Sequence, residues 1–231
     1  MSLMQILVEL HPKKKIEKIL KEVKTLSDYD GFDIPDSPLG LPSPLPSFIA
    51  SLIRYSLNLD KTIIINQRLF DVNELFVHSL SITAKMLNVD IAFTRGDKPK
   101  YGKEVGYLSS EEAVNIAKGY GVRSGMMISL RKSESEINAR LDSNADFFLV
   151  LRMRNINEIK HYGPKLVERA IPYIIIMTDK NKEAVKSLSQ PYFEDKEILS
   201  VIEMLKEIKV KGVLLSTLGD LNFLEKLYSK L

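Results

Sequence analysis

The sequence predicts an α/β fold, a (β/α)8 barrel of the TIM type that forms a single domain over residues 1–231. Short apolar, β-branched segments alternate with segments of helical period along the whole chain. About eight such repeats favour a closed barrel over an open sheet. No Gly-x-Gly-x-x-Gly motif follows the first strand, which excludes the usual dinucleotide-binding fold.

The predicted strands are short and rich in apolar and β-branched residues. Near-continuous apolar runs, such as the isoleucines at 63–65 and 174–176, fit strands that are buried on both faces. Parallel strands need crossover connections, and helices in those connections cover both faces of the sheet. The predicted strands span residues 4–10, 31–35, 61–66, 90–94, 122–129, 145–151, 171–178 and 211–216.

The segments between the strands are predicted to be helices, most clearly at 71–88 and 197–209, where apolar residues recur along one face. Asp71 precedes the first of these runs, and Ser109 stands three residues before Glu112 as a capping box. Residues 35–46 contain five prolines, which cannot donate backbone hydrogen bonds, so this segment is predicted to be a loop after the second strand.

The composition excludes several classes of site. The absence of cysteine excludes disulfides, iron–sulfur clusters and thiolate zinc sites. The three histidines lie far apart, so we expect no metal site. The net charge of +3 does not indicate the strongly basic surface that binds nucleic acids. Without a signal peptide or an apolar stretch of about 20 residues, we expect a cytoplasmic protein with no membrane partner. Abundant Lys, Glu and Ile without Cys or Trp indicate a thermophilic source.

Polar residues at the carboxyl ends of the strands are the candidate site, because parallel barrels carry their chemistry there. Glu9 is a carboxylate within the apolar first strand. It is either paired structurally with a barrel arginine or is a general acid whose pKa is raised by burial.

The fourth strand ends in Thr94, Arg95, Gly96 and Asp97. Gly96 permits close approach to a flat ligand, and the residues beside it carry opposite charges. Arginines also follow other strands, which suggests an anionic ligand, although helix-surface salt bridges would explain each of them singly. Residues 216–220 lead into the last helix. Either they bind a phosphate at its N-terminus or Thr217 caps the helix.

Three motifs together resemble the methylenetetrahydrofolate reductase family. They are Val8-Glu9-Leu10-His11-Pro12 in the first strand, Arg95-Gly96-Asp97-Lys98-Pro99 followed by Gly102, and the segment 139–148, which contains Arg140. Their order and spacing agree with the family through about two-thirds of the chain, and the last third agrees in topology only.

The resemblance implies a flavin-dependent reduction of a methylene-bearing pterin, in which NAD(P)H reduces FAD and FAD passes hydride to the one-carbon unit. Glu9 would be the general acid that opens the imidazolidine ring, and Asp97 would stabilise the resulting cation. The residues that would hold the flavin are Asn66, Arg68, Thr94, Arg95, Gly96, Asp97 and Arg140.

Two departures from the family keep a second hypothesis open. Ile64-Ile65-Asn66 stands where the family has His-Leu-Thr, and Leu151 replaces a glutamine that grips the pterin. The second hypothesis is therefore a reductase-like barrel without flavin, which binds a pterin or serves as a partner subunit in one-carbon metabolism. A third is a barrel enzyme that binds a phosphorylated metabolite at 216–220. The protein would act on a small molecule, as a homo-oligomer or with a partner subunit.

Overall fold

The computed structural model describes residues 4–105, 107–188 and 190–231, and it confirms the predicted barrel. Eight parallel strands close into a ring in chain order, and a short strand, β8, pairs with the end of β7 outside the ring. The strands are β1 (Gln5–Glu9), β2 (Gly31–Ile34), β3 (Thr62–Arg68), β4 (Asp90–Thr94), β5 (Ser124–Ser129), β6 (Phe148–Leu151), β7 (Ala170–Met177), β8 (Phe193–Glu194) and β9 (Gly212–Ser216).

Helices follow the strands and cover the outside of the ring. They are α1 (Ile16–Thr25), α2 (Pro46–Ser51), α3 (Glu74–Leu87), α4 (Ser110–Gly119), α5 (Glu134–Leu141), α6 (Asn157–Lys160), α7 (Pro164–Val167), α8 (Lys182–Ser187), α9 (Ile198–Glu207) and α10 (Leu221–Tyr228). A π-helical turn at Leu52–Ser56 continues α2. Within the described ranges, every helix is too short or too polar to cross a membrane.

The helix starts agree only in part with the sequence signals. The capping box of Ser109 and Glu112 is confirmed at the start of α4. The start proposed at Asp71 is wrong: α3 begins at Glu74, and its N-cap is Asn73, whose side chain accepts a hydrogen bond from the backbone of Phe76 at 3.1 Å. Asp71 is drawn instead towards Arg68, whose Nε lies 3.4 Å from its carboxylate.

Alternate residues of the strands fill the barrel. The inner cluster consists of Leu7, Ile64, Ala92, Phe147, Leu149, Ile171 and Leu214. Space for the Phe147 ring comes from Gly125 on the neighbouring strand, where a Cβ atom would lie 2.7 Å from the ring. The interior is therefore packed, and open space is confined to the ends of the ring.

Strand β3 is longer than the sequence predicted, and this extension shapes the mouth at the carboxyl end. Asn66, Gln67 and Arg68 continue the ladder with β4 and are buried, although they are polar. The predicted loop after β2 is confirmed, with a 3-10 turn at Pro38–Gly40. It packs on the loop after β4, where the carbonyl oxygen of Gly40 accepts a hydrogen bond from the backbone N–H of Lys100 at 3.0 Å.

Candidate functional site

Glu9 lies at the centre of a hydrogen-bonded cluster at the mouth of the barrel. Its Oε2 atom accepts hydrogen bonds from the hydroxyl groups of Tyr173 at 3.1 Å and Ser216 at 2.5 Å. The Nε2 atom of His11 lies 3.3 Å from the same oxygen. Strands β1, β7 and β9 therefore meet at one carboxylate. The structural arginine partner considered for Glu9 does not occur among the described residues, since hydroxyl groups hold the carboxylate instead.

A second buried carboxyl group, Asp33, lies beside Glu9. The two residues are register partners on β1 and β2. Asn66 donates a hydrogen bond from Nδ2 to Oδ2 of Asp33 at 2.9 Å. Burial raises the pKa of Asp33 well above its ordinary value, and the neighbouring charge of Glu9 raises it further. Without a ligand, Asp33 is thus the carboxyl group of this cluster that tends to keep a proton.

Several buried polar atoms at the mouth have no hydrogen-bond partner within the part of the chain that the structure describes. Nε2 of His11 lies beside Glu9, and three more lie at the ends of β2 and β3. These three are Oδ1 of Asp33, Oδ1 of Asn66 and Nη2 of Arg68. An unsatisfied buried polar group costs about 1–3 kcal/mol, so proteins rarely leave several of them together. Their clustering on β2 and β3 indicates that a polar ligand or ordered water completes the site.

Arg68 is held from several sides. Its side chain is 4% exposed, and Gly96 packs directly on it, because a Cβ at Gly96 would lie 3.0 Å from the Arg68 Cγ. The backbone N–H of Gly96 lies 3.3 Å from the Thr94 hydroxyl oxygen, which accepts its hydrogen bond. The backbone N–H of Arg68 donates to Asp36, whose pKa is raised by burial. The close approach that Gly96 allows is therefore made to Arg68.

The other residues predicted to bind cofactor do not join this cluster. Arg95 is 61% exposed, is paired with Glu104 and lies over the ring of Phe70. Asp97 is exposed on the loop after β4. Arg140 donates to the backbone carbonyl oxygen of Met127, and its Nε lies 3.5 Å from Glu111 at the start of α4. Arg140 thus links α5 to β5 and α4 in the outer layer. Among the residues predicted to be catalytic or to bind cofactor, the mouth thus brings together Glu9, Asn66, Arg68, Thr94 and Gly96.

Sequence reasoning missed Asp33 and Tyr173, and it considered Ser216 only as part of a phosphate site and not as a partner of Glu9. The alternation of strand residues could have found them, because side chains two apart share a face. Tyr173 stands two residues after the inward-facing Ile171, and Ser216 two residues after the inward-facing Leu214. Asp33 is a lone carboxylate between Phe32 and Ile34, the same signal that drew attention to Glu9.

The segment 216–220 borders a separate cleft of about 390 Å³ beyond the ends of β7 and β9. The N-cap of α10 is Asp220 and not Thr217, since the Asp220 carboxylate accepts hydrogen bonds from the backbone of Phe223 and the hydroxyl of Thr178. A carboxylate therefore occupies the position that a phosphate would take, and its charge opposes phosphate binding.

No protein-family model and no curated protein matches this sequence. Solved structures match nearly the whole chain at low identity. An uncharacterized protein from Clostridium thermocellum, which binds two copies of 5-methyl-5,6,7,8-tetrahydrofolic acid, has a TM-score of 0.67 and 13% identity, over 99% of this chain and 96% of that one. The coenzyme F420 dependent tetrahydromethanopterin reductase of Methanopyrus kandleri has a TM-score of 0.65 and 12% identity, over 100% of this chain and 99% of that one.

A mutant tryptophan synthase α-subunit from Pyrococcus furiosus matches with a TM-score of 0.63 and 12% identity, over 97% of this chain and 96% of that one. The chain is a TIM barrel. Because active sites of TIM barrels lie at the carboxyl ends of the strands, the cluster around Glu9 and Asp33 occupies the face on which such sites are built. Membership of the methylenetetrahydrofolate reductase family stays a prediction.

Proposed function

We propose that this TIM barrel binds a reduced pterin that carries a one-carbon unit, with the pyrimidine edge of the pterin against Asp33, Asn66 and Arg68. The observation that carries the proposal is the group of three buried polar atoms without partners at the ends of β2 and β3. A ligand that pairs with all three atoms gains three hydrogen bonds. An analogue that lacks one of the matching groups leaves a buried protein atom unpaired and binds more weakly.

The hydrogen-bonding pattern of these atoms complements a pterin. The 2-amino-4-oxo-pyrimidine edge of a reduced pterin presents an amino donor, a ring N–H donor and a carbonyl acceptor. Oδ1 of ionised Asp33 and Oδ1 of Asn66 are acceptors, and Nη2 of Arg68 is a donor. The protein therefore offers two acceptors and one donor to a ligand edge with two donors and one acceptor.

Charge supports the same orientation. The Glu9 carboxylate, and Asp33 once it has lost its proton, favour a ligand edge that presents N–H groups. Two proteins with a similar barrel are associated with this class of ligand, since one binds 5-methyl-5,6,7,8-tetrahydrofolic acid and the other is a tetrahydromethanopterin reductase. The common chemical class is a reduced pterin.

Glu9 is proposed as the group that exchanges a proton with the ring nitrogen that bears the one-carbon unit. Its Oε2 is held by Ser216 and Tyr173, on the side of the mouth away from Asn66 and Arg68. Recognition of the pyrimidine edge and proton transfer would thus be divided between the two sides of the mouth. The exposed position of Asp97 on the loop after β4 lends no support to its proposed role as a second catalytic residue.

The residues assigned to flavin by the family resemblance do not fit a single flavin cradle. Gly96 is covered by Arg68, and Arg95 and Arg140 have protein partners. These contacts favour the form of the proposal without flavin, a pterin-binding barrel or partner subunit, over an NAD(P)H- and FAD-dependent reductase. We therefore assign no step to a flavin.

Titration of the purified protein with 5-methyltetrahydrofolate and tetrahydromethanopterin by calorimetry tests the proposal. We expect one of them to bind, and Asn66→Leu to weaken that binding at least about tenfold, because a buried polar contact is lost. Asn222→Leu is the matched control, since Asn222 is exposed and lines the separate cleft. Failure of both pterins to bind, or equal losses in the two variants, would contradict the proposal.

A spectrum recorded after incubation with FAD and gel filtration separates the two forms of the proposal. The form without flavin predicts a colourless protein. A stoichiometric yellow complex would instead restore the reductase, and Arg140→Met should then release the flavin if Arg140 holds it.

A further inference from the structure

The outer face of α3 carries an apolar stripe opposite the side that packs on the barrel. The buried side consists of Val77, Leu80, Ser81, Ala84 and Leu87. At about 100° per residue, Leu75, Ser79, Ile82 and Met86 fall together on the opposite side. Leu75 is 72% exposed, Ile82 49% and Met86 74%. A helix that is apolar on both sides is normally covered on both sides, so this stripe indicates an interface.

We propose that this stripe pairs with the same stripe of a second copy of the chain, with the two α3 helices antiparallel across a two-fold axis. If the two-fold axis passes beside the midpoint of the stripe, the stripe of one copy matches the stripe of the other. Leu75 then faces Met86 of the second copy, and the small Ser79 faces the bulky Ile82 of the second copy. A symmetric dimer requires this kind of reciprocal matching.

Charge complementarity identifies the second copy as the occupant. Glu74 and Lys85 are both exposed and lie on the same flank of the stripe. In the antiparallel pair that flank of one helix meets the same flank of the other, which brings Glu74 close to Lys85 of the second copy at each end. Within its own chain, the carboxylate of Glu74 has His78 nearby at 3.8 Å, and Lys85 donates to the Gly121 carbonyl oxygen. A parallel pair would place this flank on opposite sides of the interface in the two copies, so it would not bring Glu74 close to Lys85 of the second copy.

Further exposed apolar surface lies near one end of α3. A stable interface buries about 800 Å² on each partner, more than a single stripe supplies. The guanidinium of Arg54 donates to the carbonyl oxygens of Leu87 and Asn88, which fixes the π-helical turn to the end of α3. Tyr55, next along that turn, is 71% exposed. The mouth of the barrel is left open by this arrangement, because α3 lies in the outer layer.

Sedimentation equilibrium over a range of protein concentrations tests the dimer. We expect Met86→Glu to raise the dissociation constant at least tenfold, because a charge enters the apolar contact with Leu75 at each end of the symmetric interface. Met204→Glu is the matched control, since Met204 is an exposed methionine on α9. A monomeric wild-type protein, or equal effects of the two variants, would overturn the proposal.

Charge exchange tests the antiparallel register and does not depend on apolar burial. Glu74→Lys and Lys85→Glu alone should each weaken the dimer about tenfold, since each substitution acts twice in a symmetric pair. The double exchange should restore the wild-type dissociation constant, with circular dichroism confirming that all variants are folded. A double variant that is weaker than both single variants would overturn the antiparallel arrangement.

Discussion

At the scale of single residues, Asp33 is expected to favour ligand binding while lowering the stability of the free protein. It is buried, and its pKa is raised because burial and the charge of Glu9 disfavour its ionised form. A ligand N–H at Oδ1 would favour that ionised form, so pterin binding and loss of the proton from Asp33 are linked. We therefore expect pterin affinity to rise with pH until Asp33 is ionised in the free protein.

The substitution Asp33→Asn should stabilise the free protein at neutral and higher pH by about 1 kcal/mol or more, while weakening pterin binding. The stability that protonated Asp33 confers is complete below its unfolded pKa, near 3.8, and is lost as pH rises through the higher folded pKa. The amide that replaces the carboxyl group does not titrate, so urea unfolding at several pH values should show a widening gain over wild type. A variant that is less stable than wild type at pH 8 would contradict the assignment.

Glu9→Gln should separate proton transfer from binding. The amide keeps the size of the side chain and can still accept from Tyr173 and Ser216, but it cannot exchange a proton in the same way. We expect pterin affinity within about threefold of wild type, with loss of the proton exchange that accompanies binding, measured by calorimetry in buffers of different ionisation enthalpy. Weakened affinity with unchanged proton exchange would assign Glu9 to binding alone.

At the scale of elements, Arg140 tests whether α5 serves the cofactor or the fold. Its guanidinium joins α5 to the Met127 carbonyl group of β5 and to Glu111 of α4. Arg140→Met should lower the free energy of unfolding by about 1–3 kcal/mol, because a partly buried carbonyl group loses its charged donor. Pterin affinity should be unchanged. Chemical denaturation and calorimetry on the same preparation measure both effects.

The elements also show what the sequence could and could not predict. Hydrophobic alternation located all eight barrel strands, because each is a short buried run. It missed the two-residue strand β8, whose pairing depends on contact with the end of β7. It also ended β3 too early, because Gln67 and Arg68 are polar and were assigned to the following loop. Their burial depends on β4 and on Gly96, which no local pattern reports.

The sequence predicted a candidate site at the carboxyl ends of the strands, where the Glu9 cluster lies, but it grouped Glu9 with Arg95, Asp97 and Arg140, which lie outside that cluster. Glu9 was found because a carboxylate in an apolar strand is conspicuous. The contacts of Arg95 with Phe70 and Glu104 depend on how one loop folds back, and no strand rule gives them. Side-chain direction, rather than position along the chain, decides which strand-end residues share the mouth.

At the scale of the whole molecule, packing of the ring depends on a glycine, Gly125 in β5. Gly125→Ala should destabilise the protein by about 1–3 kcal/mol or prevent folding, because its Cβ would lie 2.3 Å from the Phe147 carbonyl oxygen. Gly119→Ala is the control, since a Cβ there meets no atom within 4 Å. Comparable thermal unfolding of the two variants would show that the barrel relaxes at Gly125.

The pairing of β1 with both β2 and β9 has a consequence for synthesis of the chain on the ribosome. Strand β1 emerges before β9, so the edge of β1 that pairs with β9 stays unpaired until residues 212–216 have left the exit tunnel. Ser216, which holds Glu9, is the last residue of that final strand. A nascent chain arrested before it would carry most of the helices but an incomplete mouth, so competence to bind ligand would appear only after this strand has joined the barrel.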